Sequence, residues 1–404
     1  MAFVLRHYQQ QAISDLRAAY RAGFNAPLLV LPTGAGKTVV FSAIAASAAE
    51  RGRRVLILVH RRELIRQASA KLAAVGADCQ VMSVQSLIRR LDRQPPPDLI
   101  IVDEAHHVTA GNTWGKILNH YPNAFRLGVT ATPCRLDGRG LGNAFDTIVH
   151  GPSVAQLIDA RFLTSARIYA PPVIADLAKL RSRGGDYAAN EAAERMNRPS
   201  ITGDAIGHYQ RLAEAQQAIA FCCNVKHAEA VAAQFQAANI KAATLLGSTP
   251  TAERDARVAA FGAGQLQVLV TVDVISEGFD VPAAGCAILL RPTQSLGLYL
   301  QQVGRVLRPA PNKAAAIVLD HVGNVTRHGF PDEHREWSLA DGVRRTSRKI
   351  REIAGELQEL QRVERRQQQR QARTLAQLLA IAKQRGYSPG WAYKVHNARS
   401  NASR

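Results

Sequence analysis

LVLPTGAGKTVV, residues 29–40, is the stretch that decides the fold. Leu29, Val30 and Leu31 run into PTGAG, and Lys37 and Thr38 then open an alanine-rich apolar segment. That order reads as a buried strand, a glycine loop and a helix. Gly34 and Gly36 free the backbone to wrap a phosphate with its N–H groups. The helix N-terminus behind them adds a favourable dipole. Lys37 is placed to reach β- and γ-phosphates, and Thr38 to ligate Mg²⁺. An isolated GxGK could be a coincidental turn, but the flanking strand and helix argue for a phosphate site.

Outward from this loop the rhythm repeats. Leu28–Leu31, Val55–Val59, Leu99–Val102 and Arg126–Thr130 are near-continuous apolar runs, as strands covered on both faces require. Helical segments at 38–51 and 62–75 lie between them. This alternation predicts a doubly wound α/β sheet with parallel strands. LIIVDEAHHV, residues 99–108, ends a strand in two carboxylates. Asp103 is placed to hold Mg²⁺ through water, and Glu104 to activate an attacking water. An acidic pair alone could be a solvated strand end; behind a phosphate loop it reads as catalytic. His106 and His107 are adjacent and cannot easily share one ion, so zinc is not expected. His106 is expected to couple the phosphate site to the neighbouring domain.

The rhythm lapses over 150–215, which holds Pro152, Pro171, Pro172, RSRGGD at 181–186 and Pro199. That segment reads as a linker with a helical lead-in. Strands resume at Ala218–Cys222, Ala242–Leu246, Val268–Thr271, Ala287–Leu290 and Ala315–Leu319, giving a second parallel sheet. Residues 344–385 are rich in Arg, Gln, Glu and Leu and lack Pro, which predicts helix up to GYSPGW at 386–391. The expected domains are 1–150, 151–339 and a basic helical tail, 340–404.

The chain of 404 residues is too long for one ordinary core. No apolar run approaches the roughly 20 residues of a membrane helix. The start, MAFVLRHYQQ, lacks a secretory apolar core, so no membrane partner and a cytoplasmic location are expected. Cys79, Cys134, Cys222, Cys223 and Cys286 are scattered and form no CxxC, which argues against a disulfide framework and a cysteine zinc site. The net charge is +19 and the pI about 10.3. That bias points to nucleic acid or an anionic surface. Residues 341–404 hold 15 Lys and Arg against 5 Asp and Glu. Tyr387, Trp391 and Tyr393 lie among these charges, a mixture suited to stacking on a single strand or fork. A helix with a solvated basic face, or a protein-docking element, are the other readings of this tail.

PTGAGKT, DEAH and TATP at 130–133 together resemble motifs I, II and III of superfamily 2 DEAD/DEAH-box helicases. VDVISEGFDVP at 272–282 resembles motif V, and QQVGRVLRP at 301–309 resembles motif VI. LRHYQ at 5–9 looks like the adenine-reading motif, while HRREL at 60–64 and SVQSL at 83–87 resemble motifs Ia and Ib. Within the superfamily, LLGSTPTAER at 245–254 and the RPT…GRVLRP run at 291–309 are most similar to the RadD-like and type III restriction subunit-like branch, related to XPB. Many relatives carry a cysteine zinc module after the second domain; this sequence lacks it.

The resemblance implies two tandem RecA-like domains with ATP between them. It assigns the nucleotide to Arg6, Gln9, Pro32, Thr33, Gly34, Ala35, Gly36, Lys37 and Thr38, with Gly278 and Asp280 linking it to the nucleic-acid track. It points Arg305 and Arg308 at the γ-phosphate and Gln301 at the phosphate or water. Arg61, Ser83, Gln85, Thr249 and Thr293 become contacts to a nucleic-acid backbone, joined by Trp391 in the tail. The implied activity is an ATP-dependent DNA helicase or translocase on single-stranded or forked DNA. A DEAH-type RNA helicase, or a motor subunit docking a nuclease or repair partner through 340–404, are the alternatives.

Overall fold

The computed structural model describes residues 4–60, 62–135, 140–170, 182–183, 186–196, 199–214, 216–272, 284–311, 313–340, 357–360 and 374–385. The chain divides into two units, Met1–Gln358 and Glu359–Arg404.

The larger unit is built on two parallel sheets. The first contains β1 (Pro27–Val30), β2 (Val55–Val59), β3 (Gln80–Ser83), β4 (Leu99–Asp103), β5 (Phe125–Thr130) and β6 (Thr147–His150). Their spatial order is β3-β2-β4-β5-β1-β6, and neighbouring strands pair in parallel. Strands β1 and β2 are buried along their whole length, which is why their sequences are apolar at every position. β5 lies between β1 and β4, so the glycine loop after β1 and the acidic pair at the tip of β4 share one edge of the sheet. Ligands of open α/β sheets bind at such carboxyl edges.

The second sheet contains β7 (Ala166–Ala170), β10 (Ala218–Phe221), β11 (Ala242–Leu245), β12 (Val268–Thr271), β13 (Cys286–Leu289) and β14 (Ala316–Asp320). A two-stranded antiparallel hairpin, β8 (Ser182–Arg183) and β9 (Asp186–Tyr187), stands apart from it. These six strands run β11-β12-β10-β13-β14-β7, each pair parallel. Helix Val225–Ala237 is capped by Asn224, whose side chain accepts from the His227 N–H at 2.9 Å.

Two sequence expectations are corrected here. The 150–215 segment is more than a linker: β7 joins the second sheet against β14. Its sequence, ARIYA, places Arg167 over Tyr169, so it breaks the continuous apolar run that marks inner strands. β3 and β6 escaped for the same reason, being edge strands with polar ends. The expected helix over 344–385 is present at Leu375–Arg385, whereas Gln358–Glu359 is extended. Leu357 is buried in the second core, and its N–H donates to His208 Nε2 at 3.4 Å. The intervening residues 344–356 and 361–373 lie outside the described set.

After β14 the chain returns to the first lobe. Trp337 and Leu339 pack against that lobe's core, and the Gly142 N–H donates to the Leu339 carbonyl at 3.0 Å. Arg335 fixes the approach by donating to the carbonyls of His328, Phe330, Pro331 and Glu333.

His227 in the second lobe is 1% exposed, and burial lowers its pKa to about 4. Burial, helped by the neighbouring His208, holds His321 down to about 3. Both imidazoles stay neutral in the fold but take a proton in the unfolded chain below about pH 6.5. Their contribution is complete above pH 6.5 and is lost as pH falls towards 4 for His227 and towards 3 for His321. Denaturant melts are expected to show stability falling over that window by up to about 1.4 kcal/mol per pH unit for each proton taken up. His227→Gln should flatten the slope by as much as one proton; equal slopes in the two proteins would refute the linkage. Among the described residues, no helix is long and apolar enough to cross a membrane.

Candidate nucleotide site and interlobe cleft

The glycine loop continues the β1–β5 pairing, with the Leu31 N–H on the Thr130 carbonyl at 3.0 Å. Gly34 and Gly36 take φ of 88° and 82°, a region that side chains with a Cβ rarely adopt. Gly36 caps helix Lys37–Ala49, whose first turn carries no acidic residue, so the positive end of its dipole faces the loop without a carboxylate of its own. The Arg6–Gln9 segment is tied to this loop. Tyr8 Oη and Gln9 Nε2 each donate to the Ala35 carbonyl at 3.0 Å. Gln9 Oε1 accepts from the Arg6 N–H at 3.0 Å, and the Arg6 guanidinium lies 4.7 Å from the centre of the Phe162 ring. A Cβ on Gly36 would meet Gln9 Nε2 at 2.6 Å, so a side chain there would displace Gln9 as well as strain the backbone at φ 82°.

At the tip of β4, Asp103 is 4% and Glu104 6% exposed. The Glu104 N–H donates to Asp103 Oδ1 at 3.0 Å. Glu104 adopts φ 50° and ψ 50°, a left-handed conformation that costs a non-glycine residue about 1–2 kcal/mol. Its buried Oε2 accepts no hydrogen bond; His106 Nδ1 stands 3.4 Å away. The same Nδ1 is 3.0 Å from Thr130 Oγ1, and that hydroxyl also meets the Thr132 backbone at 3.2 Å. Glu104 and Thr130, like His106 itself, belong to the first lobe.

The second lobe closes on this edge through helix Leu296–Gly304, capped by Ser295 Oγ on the Leu298 N–H at 3.0 Å. A Cβ on Gly304 would lie 2.5 Å from Thr33 Cβ, and one on Gly297 would lie 3.0 Å from Thr132 Oγ1. Two glycines thus let one lobe's helix touch the other lobe's loops. Gln301 and Arg305 are 4% and 7% exposed. A Cβ on Gly34 would stand 3.6 Å from Arg308 Cγ, so Arg308 also reaches the glycine loop. Burial lowers the Arg308 pKa. Lys313 pins this arginine turn, donating to the carbonyls of Ala284 at 2.9 Å, Val306 at 2.5 Å and Arg308 at 2.7 Å. Burial, with Arg308 adding to it, lowers the Lys313 pKa to about 8.

A cleft of about 830 Å³ is lined by His60, Arg66, Ser83, Gln85, Arg89 and Arg90 of the first lobe and Thr251 of the second, among others. Its walls carry three arginines. The Arg66 guanidinium and the Asp255 carboxylate, on opposite lobes, approach to 3.5 Å.

Residues 2–135 match the family described as type III restriction enzyme, res subunit, and residues 203–310 match the helicase conserved C-terminal domain. A 51.5 kDa protein of a Lactococcus phage is 41% identical over 76% of this chain and 68% of its own length. IRC3 of Saccharomyces cerevisiae, an ATP-dependent helicase by name, is 31% identical over 79% of this chain and 52% of its own. A fragment structure described as the HsdR subunit of a type I restriction enzyme from Vibrio vulnificus superimposes with a TM-score of 0.63, at 23% identity, over 81% of this chain and 67% of that one. The chain belongs to helicase superfamily 2, in its type III restriction and XPB-like branch. Its two parallel sheets are the tandem RecA-like domains of that superfamily, and it carries the superfamily's nucleic-acid-dependent ATPase core. The chain spans about half the length of the yeast relative.

Set against the superfamily motifs, the structure gathers Gln9, Thr33, Gly34, Ala35, Gly36, Asp103, Glu104, Arg305 and Arg308 around one edge, and Ser83 and Gln85 along the cleft. Ser83 also caps the next helix, accepting from the Ser86 N–H at 3.2 Å. Thr249 closes its own turn by accepting from the Leu246 N–H at 3.0 Å, and Thr251, two residues on, is the one that lines the cleft. Thr293 is not brought there: it is fully buried and donates to Asp186 Oδ2 at 2.8 Å. Arg61, Gly278, Asp280 and Trp391 lie outside the described residues. Phe162 and Lys313 belong to no sequence motif read above. Both follow ordinary loop sequence, and only the fold places them beside Arg6 and Arg308.

Proposed function

We propose that this chain hydrolyses ATP between its lobes and uses the cycle to move along or remodel DNA, single-stranded or forked. The observation that carries the reading is the contact of Gly304 with Thr33, which sets Arg305 and Arg308 of one lobe against the glycine loop of the other. Gln9 and Arg6 would read the base, while the loop N–H groups and Lys37 would hold the phosphates. Asp103 and Thr38 suit a Mg²⁺ ion: a buried carboxylate and a hydroxyl at a helix N-terminus are hard oxygen donors. The ion would neutralise phosphate charge. Glu104, with one oxygen left without a hydrogen-bond donor, suits the work of taking a proton from the attacking water. The arginines would stabilise charge on the γ-phosphoryl group. Loss of that group removes what joins the lobes, so the cleft opens. If Arg66, Ser83, Gln85, Arg89 and Arg90 on one wall and Thr251 on the other grip a strand separately, opening and closing steps the protein along it.

DNA is favoured over RNA because the DNA 3′–5′ helicase XPB of Mycobacterium tuberculosis is 28% identical over 83% of this chain. A second reading, a motor module within a larger nuclease, is favoured by similarity to the type I restriction enzyme EcoKI endonuclease subunit of Escherichia coli, 25% identical, of which this chain spans 34%. Residues 340–404 would then be the docking element.

The test is steady-state ATP hydrolysis with Mg²⁺, with no nucleic acid, single-stranded, forked or duplex DNA, or RNA, across a salt series. Stimulation by DNA is expected, with apparent affinity falling as salt rises, by a log–log slope of about 0.7 for each phosphate neutralised on a single strand. Stronger stimulation by RNA would overturn the DNA assignment. A rate indifferent to every nucleic acid would overturn the motor as an autonomous enzyme and favour the second reading.

A further inference from the structure

We propose that His60 and His107 form a relay that reports occupancy of the arginine-walled cleft to Glu104. The relay rests on the reading of that cleft as the nucleic-acid path. His60, directly after β2, lines the cleft and touches His107. Its ring stacks on His107 with centroids 5.1 Å apart and planes at 29°. The His107 ring lies 4.2 Å from that of His106. His106 Nδ1 in turn stands 3.4 Å from the Glu104 carboxylate and 3.0 Å from the Thr130 hydroxyl. Three rings therefore connect a wall of the cleft to the oxygen of Glu104 that accepts no hydrogen bond.

The backbone makes this line stiff. Glu104 to His107 form one short turn, with the His107 N–H on the Glu104 carbonyl at 3.0 Å. Asn112 Nδ2 holds the His107 carbonyl at 2.7 Å, and Asn112 caps the following helix. A ring displaced at His60 must push His107, and His107 shares its turn with a glutamate already held in the left-handed region. His60 and His107 stack, His107 and His106 meet at a tilt of 39°, and among the described residues no group of three or more His, Cys, Asp or Glu could hold a metal ion. His107 is thus a positioning residue, acting through Glu104, and the two sites are coupled through packed rings.

The test compares wild type, His107→Ala, His107→Phe, His60→Ala and the His60/His107 double alanine variant in the full chain. The readouts are kcat with and without a saturating single-stranded oligonucleotide, and oligonucleotide Kd by fluorescence anisotropy. His107→Ala is expected to cut the ratio of stimulated to unstimulated kcat about tenfold, within the range of ordinary coupling between sites, while Kd moves less than about twofold. His107→Phe, which keeps the ring, should restore most of the ratio. The double variant should be no worse than His107→Ala, as members of one pathway are non-additive. A wild-type ratio in His107→Ala, or equal loss of stimulated and unstimulated rates in both His107 variants, overturns the relay and leaves the nucleic-acid reading standing. A wild-type enzyme that neither binds nor responds to an oligonucleotide overturns that reading and the relay with it.

Discussion

Glu104→Gln is expected to slow ATP hydrolysis about 10²- to 10⁴-fold, the range that a positioned general base contributes. ATP binding should survive. The amide is isosteric with the carboxylate, so the turn at φ 50° and the Glu104 N–H bond to Asp103 at 3.0 Å need no rearrangement. What is lost is an oxygen able to take a proton from water. Lys37→Ala should also abolish turnover, for a different reason: it removes a cation at the start of helix Lys37–Ala49, so nucleotide affinity should fall as well. Nucleotide binding by equilibrium fluorescence and steady-state phosphate release separate the two cases. Robust turnover by either variant would sink the assignment of the site.

Arg305→Ala carries the second large effect. An arginine that stabilises a transferring phosphoryl group is worth about 10³-fold or more in kcat. Arg305 is 7% exposed and follows directly on Gly304, which packs against Thr33 of the first lobe's glycine loop. Arg305→Lys should rescue poorly, because an ammonium cannot reproduce the planar fork of donors. The loss should fall on kcat and leave the KM for ATP within a few-fold, as expected for an interaction made mainly in the transition state. A variant with wild-type kcat would show that the second lobe's arginines do not act on the nucleotide.

Much of this was legible in the sequence because the inner strands are covered on both faces. VLILV at 55–59 can only be a buried strand, and it is buried throughout. The glycine loop and the acidic pair announce themselves because few residue types serve their geometry. ARIYA at 166–170 did not, since Arg167 interrupts its apolar run, and neither did the edge strands β3 and β6, whose ends are polar. Threonines were the hardest residues to read. Thr251 opens a helix and faces a cleft, Thr249 closes a turn and Thr293 is fully buried against Asp186, yet all three stand in similar polar stretches of sequence. A short hydroxyl side chain serves each purpose equally, and only the path of the chain decides.

The return of Trp337 and Leu339 to the first lobe bears on how the protein is made. All six strands of the first sheet have left the ribosome once His150 has emerged. Trp337 and Leu339, which pack on that lobe's hydrophobic core, arrive only after β14 of the second sheet has been synthesised. Domains usually fold in the order of synthesis. Here the nascent first lobe must wait with part of its core exposed, and it is covered by the stretch that follows β14.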